Sequence, residues 1–435
     1  MRSPTPSPRR RSLIHHADFR RLWAGDALGQ LGAQLTMLAL PVFAVQHLHA
    51  TAWQMGALTA AETAAFLIIG LPAGAWVDRM RKRNVLVTAD LVRAAVLTVV
   101  VVAALTGHAS ISMLIGAGLV ISCASVFFDV AHQSYVPGLV GLEHVVEGNS
   151  KLQATQSVAG VAAPAVGGAL LRVVAAPVLI AVTVVTYLSS AFLVGRVRHR
   201  EQPPAPTSRR PLRTEIAEGL RFVVRQRFLR RIVACTSIGN LATSMASALI
   251  VIFALRDLGL DAPAYGTVVS AGAIGGIVGA VSADRLSRWV GEGRIIALSA
   301  LMFVPATALT PLAATLTWPP QVTLVTGGAL LSFSVVVYNV TQVSFRQRLC
   351  PPELLGRMNA SVRFLVWGTM PIGGLLGGWV GTHVGVLPTL WIAVAGTALG
   401  ALPVALSPLI HMRDLPGAPL ASPAEVVHAE GAAAS

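Results

Sequence analysis

The chain has 435 residues, 54% of them hydrophobic and 12% charged, whereas soluble domains carry roughly a quarter charged residues. This excludes an ordinary soluble protein and indicates a chain solvated mainly by lipid. The formal charge of +14 would suit nucleic acid, but the cations gather in short groups between apolar runs, so the reading is membrane topology and no nucleic-acid partner.

Residues 1–18 are read as a disordered tail. Twelve apolar runs follow, at about 22–46, 54–77, 84–106, 110–131, 150–171, 174–195, 229–255, 264–283, 294–315, 320–343, 361–381 and 386–410. A crossing needs about 20 apolar residues. Backbone polar groups cannot stay unpaired in lipid, so each run is expected to be a helix. No small-residue cleavage site follows the first run, which is read as an uncleaved span. The expected organisation is an N-terminal six-helix bundle (19–198), a linker (199–228), a C-terminal six-helix bundle (229–411) and a second tail (412–435). Within the linker, 214–228 has the pattern of an amphipathic helix lying on the inner membrane surface.

Cations fill alternate connections. Arg79, Arg81, Lys82 and Arg83 occupy one, and many arginines between Arg196 and Arg231 the central one. Those near 47–53, 106–110, 315–321 and 382–388 hold no Lys or Arg. This alternation places both termini in the cytoplasm.

Polar residues inside apolar runs are functional candidates, because a charge at mid-bilayer costs roughly 2.5–3.5 kcal/mol on insertion scales. In chain order, Asp26, Gln30 and Gln34 form a stripe at i, i+4 and i+8 on the first helix. The stripe is expected to face a cavity, although Asp26 also suits an interfacial position. Glu62 lies a third of the way into the second helix. Asp90 and Arg93, at i and i+3, are read as a structural pair. Gly74, Asp78, Arg79 and Lys82 mark the turn between the second and third helices. Asp78 there can cap the positively polarised start of another helix, and the cations can reach acids or lipid phosphates. Asp129 ends the fourth run. Gly160, Pro164, Gly167 and Gly168 allow a kink and close packing in the fifth. Asp284 and Arg285 repeat the turn pattern in the second half. Arg363 and Trp367 are one turn apart before Pro371. Each motif also has a plain structural reading, as a topology signal, a helix cap or ordinary packing. Cys123, Cys235 and Cys350 are odd in number and scattered, so no disulfide or metal site is expected.

The halves repeat. At an offset of 210 positions, Val130 meets Val340, Ser134 meets Ser344, Asn149 meets Asn359, and Gly167-Gly168 meets Gly377-Gly378. Two parallel six-helix halves produce such weak internal identity.

The Gly74–Arg83 turn and its degraded copy resemble the signature of major facilitator transporters, with Arg81 in place of the usual second glycine. Residues 160–168 are similar to the Gly-Pro-x-x-Gly-Gly element of drug antiporters, with Ala163 replacing the glycine before proline. Asp129-Val-Ala-His-Gln-Ser-Tyr-Val-Pro137, with Leu142-Glu143 and Gly148-Asn149-Ser150, resembles the bacterial branch that holds macrolide-efflux proteins and the enterobactin exporter. The resemblance covers about residues 18–410. It implies an all-α membrane protein of twelve transmembrane helices in two pseudo-symmetric six-helix halves. It further implies a monomer in a bacterial-type inner membrane that exports an amphipathic organic compound by alternating access, coupled to protons. Gly74, Asp78, Arg79, Lys82, Asp129, Asp284 and Arg285 would form a latch between the halves, and the fifth-helix element would be associated with export. The fourth helix, 112–128, lacks the arginine that many proton-driven antiporters carry, so a proton relay would need other groups. Asp26, Gln30, Gln34, Glu62 and Arg363 are the candidates for proton or substrate. Rival readings are an uptake permease, a dedicated exporter of one metabolite or siderophore, and a membrane effector that does not transport. No phosphate loop, metal spacing or nucleophile-base set is present, so neither an enzyme nor a cofactor is expected.

Overall fold

The computed structural model describes residues 13–77, 79–141, 144–199, 201, 212–351 and 354–413. In the first half, helices α1 (Ala17–Gln46), α2 (Ala52–Ile68), α3 (Gly70–Val77), α4 (Lys82–Leu105), α5 (Ile111–Val140), α6 (Val145–Leu170) and α7 (Ala176–Gly195) run back and forth. The linker holds α8 (Leu212–Arg225). The second half holds α9 (Arg227–Ile252), α10 (Ala262–Val290), α11 (Glu292–Leu312), α12 (Pro320–Leu349), α13 (Leu355–Trp367), α14 (Thr369–His383) and α15 (Val386–Ala405). Leu13–His15 form a 3-10 turn ahead of α1, so of the expected first tail only residues 1–12 lie outside the described chain.

Among the described residues, ten helical spans are long and apolar enough to cross a membrane. Two more crossings complete the path. One is α2 with α3. The other is α6, whose first turns carry Glu147, Asn149, Ser150, Lys151 and Gln153 and dilute its apolar character.

Two crossings are broken, each shortly before a proline. Pro72 lacks an N–H and crowds the carbonyl four residues back, and the second crossing breaks at Ile69. Pro371 acts likewise at Gly368, between α13 and α14. Backbone groups at a membrane break need partners, and at the α13–α14 break α9 supplies them. Ser237, Asn240 and Ser244 donate to the carbonyls of Leu365, Val366 and Met370 at 3.1, 2.9 and 2.6 Å. The starts of α2, α5 and α10 are capped in the expected manner. Thr51 and Gln54 form a reciprocal capping box, Ser110 accepts from Met113 N–H, and Asp261 accepts from Ala264 N–H.

The start of α1 and the end of α15 share one face of the bundle, the termini face. Near the opposite, distal face the apolar core is continuous across both halves, joining Leu38, Phe43 and Leu58 to Leu249, Phe253 and Tyr265. Toward the termini face it divides. Phe19, Leu86 and Tyr135 pack within the first half, and Phe228, Phe345 and Met358 within the second. The halves therefore share one core distally and have separate cores toward the termini, where α13 still approaches α2 and α3. Glycines make the distal closure possible. A Cβ on Gly56 of α2 would lie 2.5 Å from the Cα of Gly378 on α14, and one on Gly266 of α10 would lie 2.5 Å from the Cα of Gly168 on α6. Arg256 adds a hydrogen bond across the halves, to the carbonyl of Val45 at 3.1 Å, where the end of α1 carries partial negative charge.

The amphipathic linker helix α8 has a protein partner on one side and exposed apolar residues on another. It packs against α13, burying Val223, and Glu218 forms an ion pair with Arg357. Leu220 and Val224 remain exposed. A charged partner on α13 gives this helix a protein face to dock on.

Candidate functional site

The polar residues of the first half gather in one layer. At 1.5 Å per residue, Asp26 on α1, Asp90 and Arg93 on α4, and Asp129 and His132 on α5 all lie about 12–17 Å from the termini-face ends of their helices. Asp90 is 0% and Arg93 5% exposed, and such burial is tolerable only with partners. Arg93 Nη1 donates to Asp90 Oδ1 at 3.0 Å, and Ser190 on α7 donates to Asp90 Oδ2 at 2.6 Å. The guanidinium also sits over the rings of Phe128 and Tyr187, at 4.7 and 5.3 Å from their centroids, a favourable cation–π arrangement.

Asp26 is 3% exposed, and His132 Nε2 lies 3.5 Å from its Oδ1. The His132 ring stacks on Phe128, with centroids 5.8 Å apart. Gln30 follows Asp26 by one turn on the same face of α1. Gln34 is half-buried one turn further along the stripe. Asp129 is influenced by the charges of Arg93, Arg363 and Asp26, and His132 lies one turn further along its helix. Arg363 belongs to α13, so this interaction spans the two halves. Its guanidinium lies 5.8 Å from the ring centroid of Trp367, and Trp367 meets Phe66 of α2 with ring centroids 4.5 Å apart.

Glu62 stands apart from this layer. It is half-buried on α2 beside Gly118 of α5, where a Cβ would come within 3.1 Å of the Glu62 Cγ. Gly118 precedes His132 by 14 residues, about 21 Å along the helix axis. The first half therefore carries two ionisable levels. Glu62 is the one toward the distal face.

The turn residues lie at the termini face, between α3 and α4. Asp78 lies outside the described residues. Gly74 is in α3 with open space where a Cβ would stand. Arg79 is exposed and Lys82 begins α4. Among the described residues neither cation pairs with Asp129, which lies about 16 Å deeper than the end of its helix. The start of α4 is held by Glu201 instead. The Lys82 and Arg83 backbone N–H groups donate to its two carboxylate oxygens at 2.7 and 2.6 Å, a favourable place for an anion. In the second half α10 runs through Asp284 and Arg285 to Val290, because nothing between them breaks a helix, and Gly291, at φ +104°, ends it. Asp284 pairs with Arg288 at 2.7 Å, and both are exposed.

In α6, Pro164 lies within the helix, Gly167 faces Leu35 and Leu38 of α1, and Gly168 faces Gly266 of α10. Gly160 has open space beside it. Glu201 and the placement of His132 are absent from the sequence expectations. Among the described residues no group of three or more His, Cys, Asp or Glu gathers to hold a metal.

A family model described as a transmembrane secretion effector matches residues 11–430. Macrolide efflux protein A of Streptococcus pyogenes is 23% identical over 405 residues, covering 91% of this chain and 97% of that protein. The enterobactin exporter EntS of Escherichia coli is 25% identical over 414 residues, covering 92% and 93%. Among solved structures, a bacterial homologue of the iron transporter ferroportin in an inward-facing state aligns with a TM-score of 0.71 at 17% identity, covering 91% of this chain and 98% of that one.

Proposed function

The chain belongs to the transmembrane secretion effector family of major facilitator transporters, and on that premise we propose that it is a proton-coupled exporter of an amphipathic organic compound, drug-like or a secondary metabolite. The observation that carries this reading is the charge imbalance inside the first half. Asp26, Asp90 and Asp129 share a layer with one arginine of their own half, Arg93, and with Arg363 of the other half, which leaves one acid unmatched; Glu62 sits deeper. Buried carboxylates without matching cations serve poorly as structure and well as proton or cation sites. A carboxyl that alternates between dry and wet surroundings takes a proton on one side and releases it on the other.

Relatives that export a macrolide and a siderophore support an amphipathic substrate and outward direction. A dedicated siderophore exporter is the second reading, favoured by the likeness to EntS over nearly the whole chain. The latch reading of Gly74, Asp78, Arg79 and Lys82 is kept as a proposal for the state in which the termini face closes.

Transport tests the coupling. Everted membrane vesicles are given dyes, macrolides and siderophores with and without a pH gradient. Accumulation driven by the gradient is expected for wild type, and Glu62→Gln and Asp26→Asn are expected to reduce it at least tenfold. Both variants transporting with unchanged dependence on the gradient would remove these acids as the coupling groups.

The proposed orientation puts the termini face in the cytoplasm. In intact cells, a cysteine at Ala205 is expected to resist impermeant labelling, and cysteines at His108 and Trp318 to react. Labelling at position 205 reverses the orientation, and with it the direction of export.

A further inference from the structure

The cluster in the first half contains a group to which the resemblance gives no role. His132 is mostly buried, and its Nε2 has no hydrogen-bond partner within normal range. The nearest acid is Asp26 at 3.5 Å, and Asp129 is one turn back on the same helix. We infer that Asp26 and His132 form a shared proton site at the termini-face level of the first half, distinct from Glu62. This inference rests on the proton-coupled reading above and names where the proton leaves.

Charge decides where the proton sits. Arg93 is committed to Asp90 by a hydrogen bond, and Ser190 holds the other oxygen of that carboxylate. The pair is neutral and fixed. Two carboxylates, Asp26 and Asp129, then remain around one imidazole. Arg363 offsets one of these charges. With His132 neutral and both acids ionised, one negative charge is still left over in an apolar surround. One added proton offsets it, on the Asp26 carboxyl or on the imidazole. The step between these states moves one proton from Asp26 Oδ1 to His132 Nε2. It converts a carboxylic acid and a neutral imidazole into a carboxylate and an imidazolium, with no other bond made or broken. The imidazolium is then flanked by two carboxylates.

The groups facing His132 from neighbouring helices fit this role. From α1 comes Asp26, at 3.5 Å, and from α4 comes Arg93, which shares the Phe128 ring with His132 and is paired with Asp90. From α13 of the other half comes Arg363, which acts on Asp129. At the termini end of α6, Lys151 pairs with Glu147 at 3.5 Å and is engaged there. On α2, Glu62 is a level away. One turn beyond His132, Tyr135 keeps its hydroxyl buried without a hydrogen-bond partner, and its ring meets His199 with centroids 6.4 Å apart. Polar groups thus continue from His132 toward the termini face. Arg363 gives the site a link to alternation. Separation of the halves changes its distance to Asp129, and with it the charge balance that favours the proton.

The test needs no substrate. The purified protein in lipid is studied by infrared difference spectroscopy as the pH is lowered, reading the carbonyl band of protonated carboxyl groups. Asp26→Asn is expected to remove one titrating component of that band. His132→Gln, which keeps a hydrogen-bonding side chain, is expected to move the midpoint of that component by about one pH unit or more, as coupled groups do. Glu62→Gln is expected to leave that midpoint in place. An Asp26 component with the same midpoint in wild type and His132→Gln overturns the shared site, as does the absence of any component lost in Asp26→Asn. His132→Asn serves as the second variant if the glutamine protein fails to purify as a single species. The transport assay fails separately. Export without dependence on a pH gradient would remove the proton-coupled reading while the spectra still report whether the site exists.

Discussion

Arg93→Met is expected to remove most of the folded protein from the membrane. Asp90 is fully buried, and Arg93 supplies its only cation within the ion-pair range among the described residues. Methionine keeps the apolar stem against Phe128 and Tyr187 and deletes the charge. Removing one partner of a buried pair costs about 3–5 kcal/mol, because the other charge is left uncompensated. Set against a total stability of about 5–15 kcal/mol for a folded domain, such a loss is large. The measurement is the yield of monodisperse protein after detergent extraction, with its thermal unfolding midpoint. Asp90→Asn with Arg93→Met removes both charges and is expected to recover much of the loss, since neighbouring sites do not add. Wild-type yield and midpoint in Arg93→Met alone would show that the pair does not hold the helices together.

The same pair shows what is legible in a sequence. Asp90 and Arg93 stand out because they are charges within an apolar run, and their i, i+3 spacing makes them neighbours on a helix. Asp26 and Glu62 are visible for the same reason. His132 is not, because it lies past the end of the fourth apolar run at about 131. The helix continues through His132, Gln133, Ser134 and Tyr135 to Val140. Hydropathy reports where lipid contact ends, and a helix can continue beyond it on protein contacts. α10 repeats the lesson by running past Asp284 to Val290. The breaks at Ile69 and Gly368 are signalled by Pro72 and Pro371, but the apolar runs around them read as continuous. Glu201 caps α4 from 119 positions away in the chain, and no local pattern announces a contact of that separation. The linker helix was visible by its two faces. Its docking on α13 depends on Arg357, which lies 139 positions from Glu218.

The distal closure supplies the other large effect. Gly56→Leu combined with Gly168→Leu is expected to lower transport at least tenfold while membrane insertion stays near wild type. At Gly56 a Cβ would already stand 2.5 Å from the Gly378 Cα, and at Gly168 it would stand 2.9 Å from the Gly266 Cα. In both places the obstacle is backbone, which cannot rotate aside as a side chain can. The helix pairs α2–α14 and α6–α10 must therefore part to admit even a methyl group. Overpacking of this kind costs about 1–3 kcal/mol per site, and every 1.4 kcal/mol is tenfold in a population. Two sites together shift the balance away from the distally closed state by tenfold or more. The cost falls on one state only. When the halves separate distally, the leucines lie in an open cleft and disturb nothing, so insertion and the internal packing of each half persist. A transporter that must pass through both states then stalls in one. Alkylation of a cysteine placed at Gln34, on the polar stripe of α1, reads this directly. With reagent added from the distal side, its rate is expected to rise in the double leucine variant. Alanine at the same two positions is expected to give a smaller shift in the same direction. Wild-type transport together with an unchanged alkylation rate would mean that the glycine contacts are incidental packing, and that closure of the distal face is held by other residues.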